Sequence, residues 1–298
     1  MKRQYLIHVV MLVWAMCASE TGLRAQAPLT QAAIELAEAG ELDQALEQIA
    51  SALSTVEAEN PMTWYVQAFV LKELYVLEGR NPSSERRTAA ESSARECLRL
   101  DPQQRLEKWW RPLLEFLADS YLLDVKMDIQ NVTPEAPVQA EQRFASYQAV
   151  QQLLDVDWDP SEEWVLMHQQ LGETGMAAAL RLESSAAGPW FALGTHHYQQ
   201  AASQAHDRYR SLYNLAVHTY NQGVREFKAS EDNLDAMDAA LQNAAVHWQK
   251  ASDLLDAAIA LNDAAPQGFE ALAIVSTALL NQDRIEWCTS HLEELKGR

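Results

Sequence analysis

Histidine offers the widest choice of chemistry among the residues of this chain, and the sequence contains eight of them. His196, His197 and His206 fall within one predicted helix. Their separations do not give the i, i+4 pair that places two metal ligands on one helix face, and no cluster of Cys, Asp or Glu completes a site. We expect His197 to pack where an aromatic ring would and His196 to face solvent. The sequence therefore predicts no metal site and no cofactor.

Carboxylates and nucleophiles are the next candidates for chemistry. Asp and Glu together number 42, so some pairs must lie at the separation used by glycosidases, and a pair such as Asp157 and Asp159 carries little information. The sequence contains no Gly-rich phosphate loop, no Gly-x-Ser-x-Gly elbow and no Cys and His arranged as nucleophile and base. We therefore expect a binding protein rather than an enzyme.

The elements that must position any site are predicted to be helices throughout. Hydrophobic residues make up 48% of the chain while Gly and Pro number only ten each, so little interrupts a helix. Apolar residues recur at helical spacing, and breaks such as Gly40-Glu41, Asn60-Pro61 and Asp101-Pro102 separate the segments. The predicted helices cover residues 29–39, 42–56, 64–77, 85–100, 109–129 and 139–156, with a further one from Trp164.

Paired helices with recurring residues resemble the tetratricopeptide repeat family. The segment Trp190-x-x-Leu193-Gly194-x-x-His197 matches the family's W-x2-L-G-x2-Y, with His in place of Tyr. The second helix of each pair carries small residues that let helices approach closely, at Ala45, Ala52, Ala90, Ala251 and Ala258. The resemblance implies an all-α fold, a right-handed solenoid of antiparallel helix hairpins, which binds a protein or peptide partner in a concave groove.

The repeats do not keep the family's period of about 34 residues. Residues 28–298 are predicted to form one helical repeat domain that is irregular around 131–138, 172–188 and 229–245. Cys97 and Cys288 take the small, helix-contacting places of their repeats, so we expect buried thiols.

The amino terminus has the three parts of a secretory signal. Lys2 and Arg3 precede an apolar run over residues 5–18, and small residues follow near Ala25 and Ala27. The run is shorter than the roughly 20 residues that span a bilayer. We therefore predict a signal peptide over residues 1–27, export to the periplasm or the extracellular space, and no membrane span after its removal. Cleavage after Ala25, Ala27 or Ala18 stays open, because Pro28 would obstruct a peptidase acting after Ala27.

Net charge excludes one class of partner. The formal charge of −19 and the isoelectric point near 4.7 argue against binding to nucleic acid, which needs clustered Lys and Arg.

In a stack of such hairpins the first helices line the inner surface. The stripe that should face the groove begins one residue after the tryptophan that anchors each first helix, and continues four and then seven residues further along. Its members are Tyr65, Phe69, Lys72, Arg111, Glu115, Phe191, Thr195 and Tyr198.

Two other functions remain open. Tryptophans could form a stacking platform for a glycan of the cell envelope, although their helical spacing favours interfaces between hairpins. A helical-toroid hydrolase would need two carboxylates deep in a closed pocket. The tryptophans concerned are Trp109, Trp110, Trp158, Trp164 and Trp190.

Overall fold

A computed structural model describes residues 27–131, 133, 135–182, 184–205, 207–228 and 234–297. Twelve α-helices and one short 3-10 helix, Val56–Glu59, account for the secondary structure of these residues, which include no strand. The helices are α1 Pro28–Glu38, α2 Leu42–Leu53, α3 Pro61–Leu77, α4 Glu85–Leu100, α5 Glu107–Gln130, α6 Ala136–Leu154, α7 Ser161–Arg181, α8 Ser184–Ser203, α9 Arg208–Lys228, α10 Leu234–Ile259, α11 Pro266–Ala278 and α12 Gln282–Lys296. The predicted all-α fold of consecutive helix pairs is confirmed.

Local chemistry sets the helix boundaries. Proline occupies the first turn of α1, α3 and α11, where its missing N–H is not needed. The Asn60 side chain accepts the Met62 N–H at 3.0 Å and so caps α3. Gly40 lies at φ +81° just after α1, a left-handed conformation that glycine adopts without strain.

The chain divides into two compact units. Of the described residues, those up to 125 and those from 141 to 158 belong to the first unit, and those from 126 to 140 and from 159 onward belong to the second. In the first, α1 packs on α2 and α3 on α4, while α3 also contacts α1 and α2. In the second, the pairs are α7 with α8, α9 with α10 and α11 with α12, and each pair also contacts the next. Within both units, helical hairpins are therefore stacked in chain order.

Small residues lie at the closest helix contacts, as the sequence predicted. Ala45, Ala52, Ala90, Ala251 and Ala258 are fully buried. Cys97 and Cys288 are buried too, which confirms their expected packing role. Burial raises the pKa of the Cys97 thiol to about 12, with the nearby Asp101 acting in the same direction.

The predicted signal peptide falls almost wholly on residues 1–26, which lie outside the described residues. Within the described part, no helix combines the length and the apolar character that crossing a bilayer requires.

Candidate functional site: an aromatic ridge on helices α3 and α5

Four half-buried aromatic residues of the first unit come together along α3 and α5. Tyr65 lies between Phe69, with ring centroids 6.3 Å apart, and Trp109, with centroids 6.0 Å apart. Phe116 lies two turns after Trp109 on α5. We call Tyr65, Phe69, Trp109 and Phe116 the aromatic ridge. All four residues, taken as whole residues, are half-buried.

The helix period explains why these rings share one surface. Residues i, i+4 and i+7 lie on one helix face, which places Tyr65, Phe69 and Lys72 in one row on α3. A neighbouring stripe of α3 is buried at Val66, Val70 and Leu74 and anchors the helix to the core. Tyr65, Phe69 and Lys72 are half-buried, and α3 has no exposed residue between Pro61 and Val76.

Lys72 joins the two halves of the ridge. Its ammonium nitrogen lies 4.8 Å from the Phe69 ring centroid and 5.4 Å from that of Phe116, so it makes cation–π contacts with one ring of each helix. The same nitrogen forms an ion pair with Glu73. Its side chain is only 16% exposed. Lys72 therefore holds the two rings in place.

Arg111 and Glu115 lie away from the face of α5 that carries Trp109 and Phe116, because they are two and six residues after Trp109. Arg111 pairs with Glu107 at 2.6 Å, and its guanidinium lies 5.6 Å from the ring centroid of the buried Trp110. Glu115 is exposed. Arg111 therefore contacts Trp110 rather than a ring of the ridge.

The Tyr65 hydroxyl is the buried end of its side chain. Burial raises the pKa of this hydroxyl, and the nearby Cys97 and Glu73 act in the same direction. Tyr65 therefore stays neutral at any physiological pH and contributes an uncharged ring to the ridge.

A buried ion pair in the same unit joins α4 to α5. Arg87 donates to Asp124 at 2.6 Å, and the two side chains are 3% and 5% exposed. Arg87 also donates to the Pro82 carbonyl at 2.8 Å and stacks on the Tyr121 ring, 4.1 Å from its centroid. The pair fixes α4 against the helix that carries Trp109 and Phe116.

The predicted binding stripe is divided by the structure. Tyr65 and Phe69 belong to the ridge and Lys72 contacts it, whereas Arg111 and Glu115 lie on other faces of α5 than Trp109 and Phe116. On α8, by contrast, Phe191 and Tyr198 are only 6% and 1% exposed and belong to a core cluster of the second unit, while Thr195 is half-buried. The rings of Phe191 and Tyr198 therefore contact the protein's own side chains, and a binding role for the α8 residues stays a prediction.

Close packing of α7 on α8 explains this burial. A Cβ atom added at Gly175 would lie 2.9 Å from the Gly194 nitrogen, and one added at Gly172 would lie 2.9 Å from the Tyr198 ring. The sequence pattern treats the helix of Trp190 as the first of a hairpin, but α8 packs most extensively on α7, the helix before it. This change of partner turns the Tyr198 stripe inward.

Sequence reasoning missed three members of the site region. Phe116 follows Trp109 at the heptad spacing that keeps two residues on one face, which is a signal that could have found it. For Trp109 the sequence suggests only packing between hairpins or stacking against a sugar. Arg80 follows Gly79 in the left-handed region at φ 59°; its guanidinium lies 5.2 Å from the Phe116 ring centroid, and no local pattern predicts that contact.

The remaining tryptophans fill interfaces to different extents. Trp110 is 2% exposed, whereas Trp158, Trp164 and Trp190 are half-buried. Trp158 packs edge-on against Tyr147 at 5.5 Å between centroids, and Trp164 contacts His168 at 4.0 Å. Trp158 and Trp164 therefore each bury part of the indole against another ring of the protein.

The histidines of α7 and α8 form a buried contact in the second unit. His168 and His197 are 3% and 2% exposed, and their Nδ1 atoms lie 3.0 Å apart. Burial lowers the pKa of His168 to about 3 and that of His197 to about 4, with neighbouring histidines adding to the shift. His197 is thus a packed residue and His196 is exposed, as predicted.

Comparison with protein-family models and with curated proteins finds no match to this chain.

Proposed function

We propose that the protein is an exported, tetratricopeptide-like scaffold whose aromatic ridge binds an extended peptide segment of a partner protein. The observation that carries the proposal is the set of half-buried rings of Tyr65, Phe69, Trp109 and Phe116 on the first helices of two hairpins. Half-buried aromatic side chains are the usual anchors of protein interfaces, because they offer a large contact area at a low cost in conformational entropy.

The ridge has the mixed character that peptides require. Aromatic rings can take apolar side chains, while the exposed Arg80 and Lys108 lie beside Phe116 and Trp109 and can bond to peptide polar atoms or charges. An extended segment of the partner could use such a surface.

The arrangement of the rings favours a peptide over the alternative of a glycan. Sugar rings stack on open aromatic faces, and the Trp109 ring already has the Lys108 ammonium 5.3 Å from its centroid. Phe116 has Lys72 and Arg80 within 5.4 and 5.2 Å of its centroid. Cations over ring faces leave less area for a sugar and add charge for a peptide.

The test begins with selection of binding peptides from a displayed library on the purified protein. The affinity of each selected peptide is then measured for Phe69→Ala and Trp109→Ala. Loss of an aromatic anchor typically costs on the order of 2 kcal/mol, or about 30-fold in Kd. The matched control is Trp287→Ala, because Trp287 is a half-buried tryptophan of α12 in the second unit.

Circular dichroism and urea midpoints check that each variant is folded. The proposal fails if folded Phe69→Ala and Trp109→Ala both keep their affinities within about twofold, roughly 0.4 kcal/mol. A glycan array probed in parallel tests the alternative: glycan binding that is lost in Trp109→Ala, with no peptide selected, would replace the peptide by a sugar.

A further inference from the structure

Three histidines of the second unit gather where α7 packs on α8. His168 belongs to α7, and His196 and His197 belong to α8. The Nδ1 atoms of His168 and His197 lie 3.0 Å apart, and ring nitrogens of His196 and His197 lie within 4.8 Å of each other. His197 is therefore flanked by two other imidazoles, each with its ring centroid 5.2 Å from that of His197.

The distance between the two Nδ1 atoms fits two ligands of one metal ion. Zinc binds an imidazole nitrogen at about 2.0–2.1 Å, which places two nitrogens of a tetrahedral site about 3.3 Å apart. The 3.0 Å between the Nδ1 atoms of His168 and His197 is close to this separation. A shift of a few tenths of an ångström between the rings therefore completes the geometry.

The same two nitrogens form a hydrogen bond when no metal ion is bound, with a proton on one Nδ1 and a lone pair on the other. Metal binding requires a lone pair on both. The donor ring meets this requirement by carrying its proton on Nε2 instead, so both rings stay neutral and no proton is released. Burial of both side chains favours this neutral form.

His196 supplies a third nitrogen at the surface. Its side chain is exposed, so it can change rotamer without losing packing contacts. Three histidine ligands would leave a fourth position of a tetrahedral ion open to water or to a further ligand.

Close packing of α7 on α8 holds the buried pair in place. A Cβ atom added at Gly175 would lie 2.9 Å from the Gly194 nitrogen, so the two backbones are in contact within two turns of His168 and one turn of His197. The Trp164 ring lies against His168, with centroids 4.0 Å apart. Ligands fixed in this way by rigid helices and packed neighbours are suited to a metal site.

We propose that His168, His196 and His197 bind one divalent transition-metal ion, of which Zn²⁺ is the type, since imidazole nitrogens suit this ion. Spacing along α8 alone does not reveal the group, because His168 reaches it from α7. The proposal goes beyond peptide binding and does not depend on the aromatic ridge.

The experiment titrates the intact protein, stripped with EDTA and then freed of it, with Zn²⁺ by isothermal calorimetry. We expect one ion per chain with a Kd in the micromolar range or below. Cu²⁺ should quench the fluorescence of Trp164, because this ring contacts His168. Trp164→Phe should therefore reduce the quenching by Cu²⁺ while leaving the affinity for Zn²⁺ within about twofold, roughly 0.4 kcal/mol.

Single variants locate the ion. His196→Gln removes an exposed ligand, and His168→Gln and His197→Gln remove the buried ones; each should weaken Zn²⁺ binding at least about tenfold. The matched control is His291→Gln, because His291 contacts Trp287 four residues before it, at 4.4 Å between centroids, as His168 contacts Trp164. The control should keep its affinity within about twofold.

Circular dichroism and urea midpoints show which variants are folded, and His196→Gln decides the question if the buried variants unfold. Three outcomes overturn the proposal. One is no binding of Zn²⁺ by the wild type. A second is full affinity in folded His196→Gln, and the third is a loss in His291→Gln as large as that in the other variants.

Discussion

The buried ion pair of Arg87 and Asp124 permits a quantitative test of what holds α4 and α5 together. Replacing Asp124 by alanine leaves the Arg87 guanidinium inside the protein without its carboxylate. Removing one partner of a buried pair costs about 3–5 kcal/mol. Arg87 keeps its bond to the Pro82 carbonyl at 2.8 Å and its stacking on Tyr121, so we expect the lower value, about 3 kcal/mol.

The assay uses one buried thiol in each unit. Cys97 lies in α4 of the first unit and Cys288 in α12 of the second. Pulsed thiol labelling at increasing urea concentrations, with labelled peptides identified by mass spectrometry in a Cys17→Ser background, follows the opening of each unit. A chain of two units need not unfold in one step, and this readout separates their stabilities.

For Asp124→Ala we expect Cys97 to become accessible at lower urea, with a free energy of opening lower by about 3 kcal/mol and an open population on the order of 100-fold larger. The double variant Arg87→Met/Asp124→Leu removes both charges and should lie within about 1 kcal/mol of the wild type, because apolar pairs often replace buried ion pairs without loss. A cost below about 1 kcal/mol for Asp124→Ala, or a double variant as unstable as the single one, would refute this reasoning.

Three further perturbations give distinct readouts. The Glu57 carboxylate accepts the Thr30 N–H at 2.8 Å at the start of α1, and although burial raises the pKa of this carboxyl, the hydrogen bonds from α1 lower it overall. Glu57→Gln should therefore destabilise the protein by about 1–2 kcal/mol at neutral pH. This advantage of the wild type should fade as the pH drops below 4.5, and a stability difference that does not change with pH would count against the prediction. The pKa of His168 is about 3 in the folded protein, against an ordinary value of 6.5, so below pH 6.5 the unfolded chain binds a proton that the folded one does not. The free energy of unfolding should therefore fall by up to about 1.4 kcal/mol per pH unit as the pH drops below 6.5. Urea midpoints at several pH values measure this slope, and His168→Gln should make it shallower. A Cβ at Gly194 would lie 2.9 Å from the Gly172 carbonyl oxygen, whereas one at Gly188 meets nothing within 4 Å. In thermal unfolding, Gly194→Ala should therefore destabilise the protein by about 1–3 kcal/mol, and the control Gly188→Ala should stabilise it by about 0.5–1 kcal/mol. Equal melting temperatures for these two variants would show that α7 and α8 can separate freely.

Local residue chemistry by itself determined that the chain forms helices and, for several of them, where they begin or end. The predicted helix over 85–100 coincides with α4, and the predicted start at residue 42 coincides with that of α2. Proline, glycine and capping side chains act within a few residues of themselves, so their effects can be derived without the tertiary structure. The burial of Ala45 and Ala258 could be predicted for a similar reason, since small residues at helical spacing mark a packed face.

The tertiary structure decided which stripe of each helix faces solvent. The sequence places Tyr65 and Tyr198 on the same predicted groove-facing stripe, yet Tyr65 is half-buried on the aromatic ridge and Tyr198 is 1% exposed. The difference comes from Gly172 and Gly175, which let α7 approach α8 closely and cover the Tyr198 ring. The cation–π contact of Arg80 with Phe116 likewise joins residues 36 positions apart in the numbering. Such contacts depend on how helices distant in sequence pack together, and helical periodicity specifies the faces of a helix but not the neighbour that each face meets.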